Sequence, residues 1–319
     1  MQCQAVGMFA QFYGTDVAAR ALVVKEGDKL STGEHTLHFV MAPMVHWPEV
    51  MVTYDEKDKI LFSADAFGTF GALAGNIFND EITFDTTWMN DARRYYTNIV
   101  GKYGVQVQAL LKKAASLDIE MICPLHGPIW RKDLGLLLEK YQKWSTYEPE
   151  DKTVMIAYAT MYGNTENAAN VLAGMLADKG VKNIAMYDVS ETDVSELVAE
   201  SFRCSHLVLA APTYNGGLYP RMELSGGSEG AEPAEPHGGA AGNGTWAPVS
   251  AKHMRTVLES MKNMTVLEGA VALKSLWRRV SSPHWRRWRR RLRRRYNKPF
   301  DRLPPACGSL FFCARRRKA

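Results

Sequence analysis

The chain has 319 residues, 46% hydrophobic and 23% charged, with a formal charge of +5. That composition suits a folded, water-facing protein of about two ordinary domains and excludes disordered and fibrous classes. The net charge hides an acidic body and a basic end: residues 277–319 hold 14 Arg and 2 Lys against one acid, Asp301, which leaves residues 1–276 at −10.

No apolar run approaches the roughly 18–20 residues of a membrane span. The opening MQCQAVGMFAQF has neither the basic nor the apolar region of a signal peptide. Five cysteines, Cys3, Cys123, Cys204, Cys307 and Cys313, are scattered without a CxxC pair, so reduced thiols in a cytoplasmic protein are expected.

In residues 1–147, Thr36–Pro43, Val50–Tyr54 and Ile60–Ser63 read as strands. The spacing of Ile99, Tyr103, Val107, Leu110 and Leu111 predicts one long amphipathic helix over Trp88–Ser116. A short strand, Glu120–Cys123, runs into the loop PLHGP, and a helix over Leu134–Trp144 follows. Polar, proline-containing 146–152 reads as a linker. From 153 the pattern alternates: strand TVMIAYAT, helix Asn164–Lys179, strand NIAMYDV, helix Val194–Phe202, strand HLVLAAPT. This rhythm predicts a doubly wound parallel sheet. Residues 224–242, rich in Gly with two Pro, read as a flexible linker with no strand. A helix near Ala251–Met261 and a strand within 265–273 come next, then the Arg-rich end.

The turn Thr160-Met161-Tyr162-Gly163-Asn164-Thr165 stands between a strand and a helix. Free N–H groups and the positive dipole end make such a turn an anion site, with hydroxyls and an amide adding donors. With no Walker Lys, the anion would be a monophosphate that needs no magnesium. An ordinary strand–helix turn fits the same residues. Two further segments, Pro212-Thr213-Tyr214-Asn215-Gly216-Gly217 and Gly244-Thr245-Trp246-Ala247, bring exposed amides and aromatics. A phosphate beside a flat ring suggests flavin mononucleotide, FMN.

His46, Asp65 and His126 each follow a strand-like run, so they could face one pocket, and their donors suit iron, zinc or manganese.

ATMYGNTE, APTYNGGLYP and NGTWAP resemble the three flavin loops of a flavodoxin domain, and the chain up to about Ser275 resembles the flavodiiron proteins. The resemblance implies an α/β architecture: a partial metallo-β-lactamase-like αββα domain (1–147), a flavodoxin-like FMN domain (148–275) and an Arg-rich tail (276–319). It implies that Asp65 bridges two irons, with His46 on one and His126 on the other. The family's H-x-E-x-D-H motif is absent from residues 1–45, so the chain is expected to begin inside the first domain and hold iron weakly. The composition changes at 224–242 and 276–319 read as reading-frame shifts.

The implied activity is electron transfer from FMN to a di-iron site that reduces O2 to water or NO to N2O. A rubredoxin or a flavin/NADH reductase would be the donor, in a head-to-tail homodimer without nucleic acid or membrane. The alternatives are a flavin-binding electron-transfer module with an inactive metal domain, a zinc hydrolase, and a non-enzymatic basic-tail binder. The last rests on Trp285, Trp288, Leu292 and Tyr296, which share one helical face among arginines.

Overall fold

The computed structural model describes residues 1–226, 237–243, 249–260, 265–266 and 271–273. They fall into two compact units, divided between Thr146 and Tyr147.

The first unit opens with α1 (Cys3–Tyr13), closed by Gly14 in the left-handed region, where its N–H reaches Ala10 O. Strands β1 (Lys29–Ser31), β2 (Thr36–Met41), β3 (Met51–Asp55) and β4 (Ile60–Ala64) form an antiparallel meander. The helices α2 (Phe84–Thr87), α3 (Met89–Tyr95) and α4 (Gly104–Ala114) precede β5 (Met121–Pro124), which pairs parallel with β4. Helix α5 (Leu134–Ser145) closes the unit. Period-two alternation sends Val52, Tyr54, Leu61, Ser63 and Ile122 into the core. On the opposite face Phe62 is 46% exposed.

The single helix expected over Trp88–Ser116 is broken. Between α3 and α4 the backbone widens into a π turn at Tyr96–Val100 and tightens into a 3-10 turn at Gly101–Tyr103. Gly101 and Gly104 flank the tight turn. Glycine costs a helix about 1 kcal/mol relative to alanine, so the break falls where helical preference is weakest.

The second unit alternates β6 (Asp151–Tyr158), α6 (Asn164–Ala177), β7 (Asn183–Asp188), α7 (Val194–Arg203) and β8 (Cys204–Tyr214). A short β9 (Gly217–Leu218) folds back antiparallel on β8, and α8 (Pro220–Gly226) follows. Then come β10 (His237–Asn243), α9 (Ser250–Ser260) and β11 (Val271–Leu273). The main path runs β11-β10-β8-β6-β7, with every pairing along it parallel. Counted from β6, this is the flavodoxin-like order 2-1-3-4-5. Val154, Met155, Ile156, Leu172, Leu176, Val208 and Leu258 fill its core.

Strand β10 corrects the expectation that 224–242 holds no strand. His237–Asn243 pairs with β8 from His237↔His206 to Asn243↔Pro212, and also borders β11. It is an interior strand built of Gly and Ala. Backbone pairing holds it, and small side chains let α9 close over it. A Cβ on Gly242 would stand 2.6 Å from Ser250 Oγ and 2.7 Å from Ala251 N. Pro233 and Pro236 precede the strand, so neither interrupts its ladder. The Arg-rich segment 276–319 lies outside the described residues.

Candidate functional site

His46, Asp65 and His126 converge in the first unit. His46 Nε2 lies 3.6 Å from Asp65 Oδ2, and His126 Nε2 lies 3.4 Å from Asp65 Oδ1. Each imidazole thus faces a different oxygen of one carboxylate. Two ligands about 2.1 Å from a shared ion stand roughly 3–3.6 Å apart, so both spacings suit ligand pairs.

The local backbone explains the convergence. Asp65 follows β4 at a point where Ala64 and Phe67 take positive φ, 52° and 67°. Non-glycine residues hold that region only when the surroundings dictate it. Ser63 Oγ donates to Ala66 O at 2.7 Å, and Phe67 N–H donates to the buried Tyr141 hydroxyl at 2.6 Å. Tyr141 in turn packs against Phe67, Tyr96 and Trp144. The His126 loop is laced to the Asp65 loop: Leu125 N–H donates to Ala64 O at 2.9 Å and Thr69 N–H to His126 O at 3.3 Å. Gly127 has φ +83°, and a Cβ there would lie 2.0 Å from Thr69 Cγ2. His46 sits in the turn between β2 and β3, anchored by fully buried Val45 and by the Met44 N–H bond to Trp47 O.

The sequence pattern does not mark Tyr95, Tyr141 or Gly127 as parts of this site. The Tyr95 hydroxyl donates to Asp65 Oδ1 at 3.4 Å, and burial followed by the Asp65 charge pushes that phenol well above its ordinary range. A helical stripe marks Tyr141 as core, but nothing local says that its hydroxyl reaches Phe67. His35, outside this cluster, lies among acids. Its Nδ1 is 2.7 Å from Asp55 Oδ2 and 4.0 Å from Asp58 Oδ2. Asp55 Oδ1 also accepts the Lys57 N–H, so its two oxygens are both engaged.

In the second unit, the loops after β6 and β8 leave neighbouring parallel strands at the switch point of the sheet. Gly163, φ +75°, stands before α6, whose first turn has no side-chain cap. The buried Thr160 Oγ1 has no partner among the described residues. An uncapped helix start and an orphaned hydroxyl form an anion cradle. Met161 and Tyr162 are exposed beside it, and Asn164 is partly exposed. Thr165 is buried and meets Asn243 Nδ2 at 3.5 Å. The second loop turns at Asn215 and Gly216, both at positive φ, and leads into Gly217, with Tyr214 exposed. Pro212 is partly exposed, whereas the Thr213 hydroxyl is occupied at the start of α9. Gly244, Thr245, Trp246 and Ala247 lie outside the described residues.

Residues 2–127 match the family model described as "ODP family beta lactamase". The chain is 33% identical over 204 residues to the anaerobic nitric oxide reductase flavorubredoxin of Aeromonas hydrophila, covering 62% of this chain and 40% of that one. The rubredoxin oxygen:oxidoreductase of Desulfovibrio gigas superposes with TM-score 0.82 at 26% identity, over 92% of this chain and 73% of that one. The flavodiiron protein of Giardia intestinalis shares the fold, with TM-score 0.85 at 24% identity over 92% of this chain and 72% of that one. The chain spans about half the length of the curated relatives it matches. With a metallo-β-lactamase-like unit followed by a flavodoxin-like sheet, the chain is similar to the flavodiiron proteins in both sequence and fold.

Proposed function

We propose that this chain is an oxidoreductase that carries electrons from FMN to a di-iron site reducing O2 or NO. The observation that carries the proposal is the placement of one imidazole against each oxygen of Asp65. A carboxylate so flanked has the donor arrangement of a bridge between two ions. His46 would hold one ion and His126 the other. The names of the relatives, a nitric oxide reductase flavorubredoxin and a rubredoxin oxygen:oxidoreductase, support the same substrates and a rubredoxin-type donor. A flavin/NADH reductase is the other donor class.

The bound groups would supply one-electron steps between flavin and metal. The chain's own residues bind and orient. Uncapped N–H groups of α6, with the Thr160 hydroxyl, fit a phosphate. Asn164 and Thr165 stand at that helix start, while Met161, Tyr162, Tyr214 and the Asn215–Gly217 turn border the ring side. Gly244, Thr245, Trp246 and Ala247 are assigned to the same flavin by sequence alone. In the first unit, the Tyr95 hydroxyl holds the Asp65 oxygen that faces His126. We place the chain in the cytoplasm as a head-to-tail homodimer; no described helix is long and apolar enough to cross a membrane.

The ligand count favours a second reading. Among the described residues, His46, Asp65 and His126 would give each ion two side-chain ligands, a set that would hold iron weakly and impair turnover. The chain would then act as a flavin electron-transfer module. Iron and flavin measured per purified chain separate the two. Two irons with one FMN support the reductase, and FMN alone supports the module. In Asp65→Ala, iron should fall while flavin absorbance persists; joint loss of both would contradict two independent sites.

A further inference from the structure

Thr213 is the second-last residue of β8, beside Tyr214 and among the residues expected to touch flavin, yet its hydroxyl is already engaged. Its Oγ1 accepts the N–H of Val249 at 3.0 Å and of Ser250 at 3.1 Å. It donates to Ser250 Oγ at 3.2 Å, and Ser250 Oγ donates to Ala211 O at 2.9 Å. The four bonds form a closed relay between the end of β8 and the start of α9. Ser250 is fully buried, so water does not compete for the relay at that end. Val249 directly precedes α9, and its carbonyl accepts the Lys252 N–H at 2.9 Å. The Thr213 oxygen therefore satisfies N–H groups at the helix start that a local capping side chain would ordinarily serve.

We propose that Thr213 is a positioning residue, not a flavin ligand: with Ser250 it fastens the Tyr214–Gly217 turn to α9 and sets the ring side of the flavin site. The proposal rests on the flavin reading above. Tyr214 is 45% exposed and its ring stands edge-on to Tyr219, 6.1 Å between centroids, so its position follows the backbone that carries it. Fastening that backbone to a helix start removes freedom that the loop would otherwise lose on binding a ligand. Thr213→Val keeps the shape and deletes the hydroxyl. It should weaken the isoalloxazine ring's grip and leave the phosphate cradle after β6 unchanged.

The full chain is compared as wild type, Thr213→Val and Thr213→Ser. FMN and riboflavin affinities are read by fluorescence quenching, the flavin reduction potential by redox titration, and exchange of the Val249 and Ser250 amides without flavin by hydrogen exchange. Thr213→Val should weaken FMN and riboflavin equally, by about tenfold. It should shift the potential and speed those two amides by about tenfold, while β6 and β8 amides keep their protection. Thr213→Ser should restore all of these. Weakened flavin binding with unchanged amide exchange would make Thr213 a direct ligand and overturn the proposal, as would wild-type behaviour throughout. If Thr213→Val loses protection across the sheet, Ser250→Ala breaks the relay from the other side and is held to the same outcomes. A wild-type chain that binds neither flavin sinks the flavin reading, and amide exchange alone then decides the clamp.

Discussion

Gly242→Ala tests whether a run of Gly and Ala forms an interior strand. The added Cβ would lie 2.6 Å from Ser250 Oγ, 2.7 Å from Ala251 N and 2.9 Å from Ala251 Cβ. Ordinary contact begins near 3.4 Å, so β10 and the start of α9 must part by about 0.8 Å. The nearest atoms belong to a buried hydroxyl in the relay and to helix backbone, and neither swings aside freely. Overpacking of this kind costs about 1–3 kcal/mol. Alanine offsets about 0.4–1 kcal/mol of that through a less flexible unfolded chain. The net loss is about 1–2 kcal/mol, or roughly 3–8 °C in Tm for a unit of this size. Thermal unfolding followed by circular dichroism measures it. Gly174→Ala in α6 is the control, because nothing lies within 4 Å of its added Cβ. That change should stabilise by about 0.5–1 kcal/mol through helix propensity. If Gly242→Ala proves as harmless as Gly174→Ala, β10 is not packed beneath α9.

Gly127→Ala should drive a Cβ into the buried Thr69, 2.0 Å from Cγ2, and force a strained φ. The loss of about 2 kcal/mol or more should appear as lowered Tm and weakened iron retention, with flavin binding intact. Thr160→Val removes the orphaned hydroxyl from the phosphate cradle. It should weaken FMN by about tenfold while leaving riboflavin affinity unchanged, and equal loss of both would place Thr160 away from the phosphate. The Asp55 carboxyl is opposed by burial, which raises its pKa, but the His35 hydrogen bond and the Lys57 amide prevail and hold it below the ordinary range. A lowered folded pKa means stability present above about pH 4 and lost as pH falls through the folded value. Acid unfolding of Asp55→Asn should therefore show a shallower dependence on pH below 4 than the parent, and a parallel curve would refute the assignment.

Long periodic segments were legible from the sequence because their cores are aliphatic. TVMIAYAT and HLVLAAPT are apolar throughout, as strands buried on both faces must be, and they became β6 and β8. β10 was not legible, because Gly and Ala carry almost no strand signal. It is held by backbone pairing to β8, which lies more than thirty residues earlier in the chain. The break after Tyr95 is not legible, because the apolar spacing of Ile99, Tyr103, Val107 and Leu110 stays near-helical through the π turn at Tyr96–Val100 and the 3-10 turn at Gly101–Tyr103.

The sequence by itself determined the alternation of strand and helix, the order of the two units and the residue types at the two candidate sites. Each of these is written in local spacing. Only the tertiary structure decided that one imidazole faces each oxygen of Asp65, since that depends on the pairing of β4 with β5 and on the β2–β3 turn. It also decided that Thr213 serves α9. A threonine hydroxyl has the same chemistry at a ligand and at a helix start, and the neighbours that distinguish the two are 36 and 37 residues away along the chain.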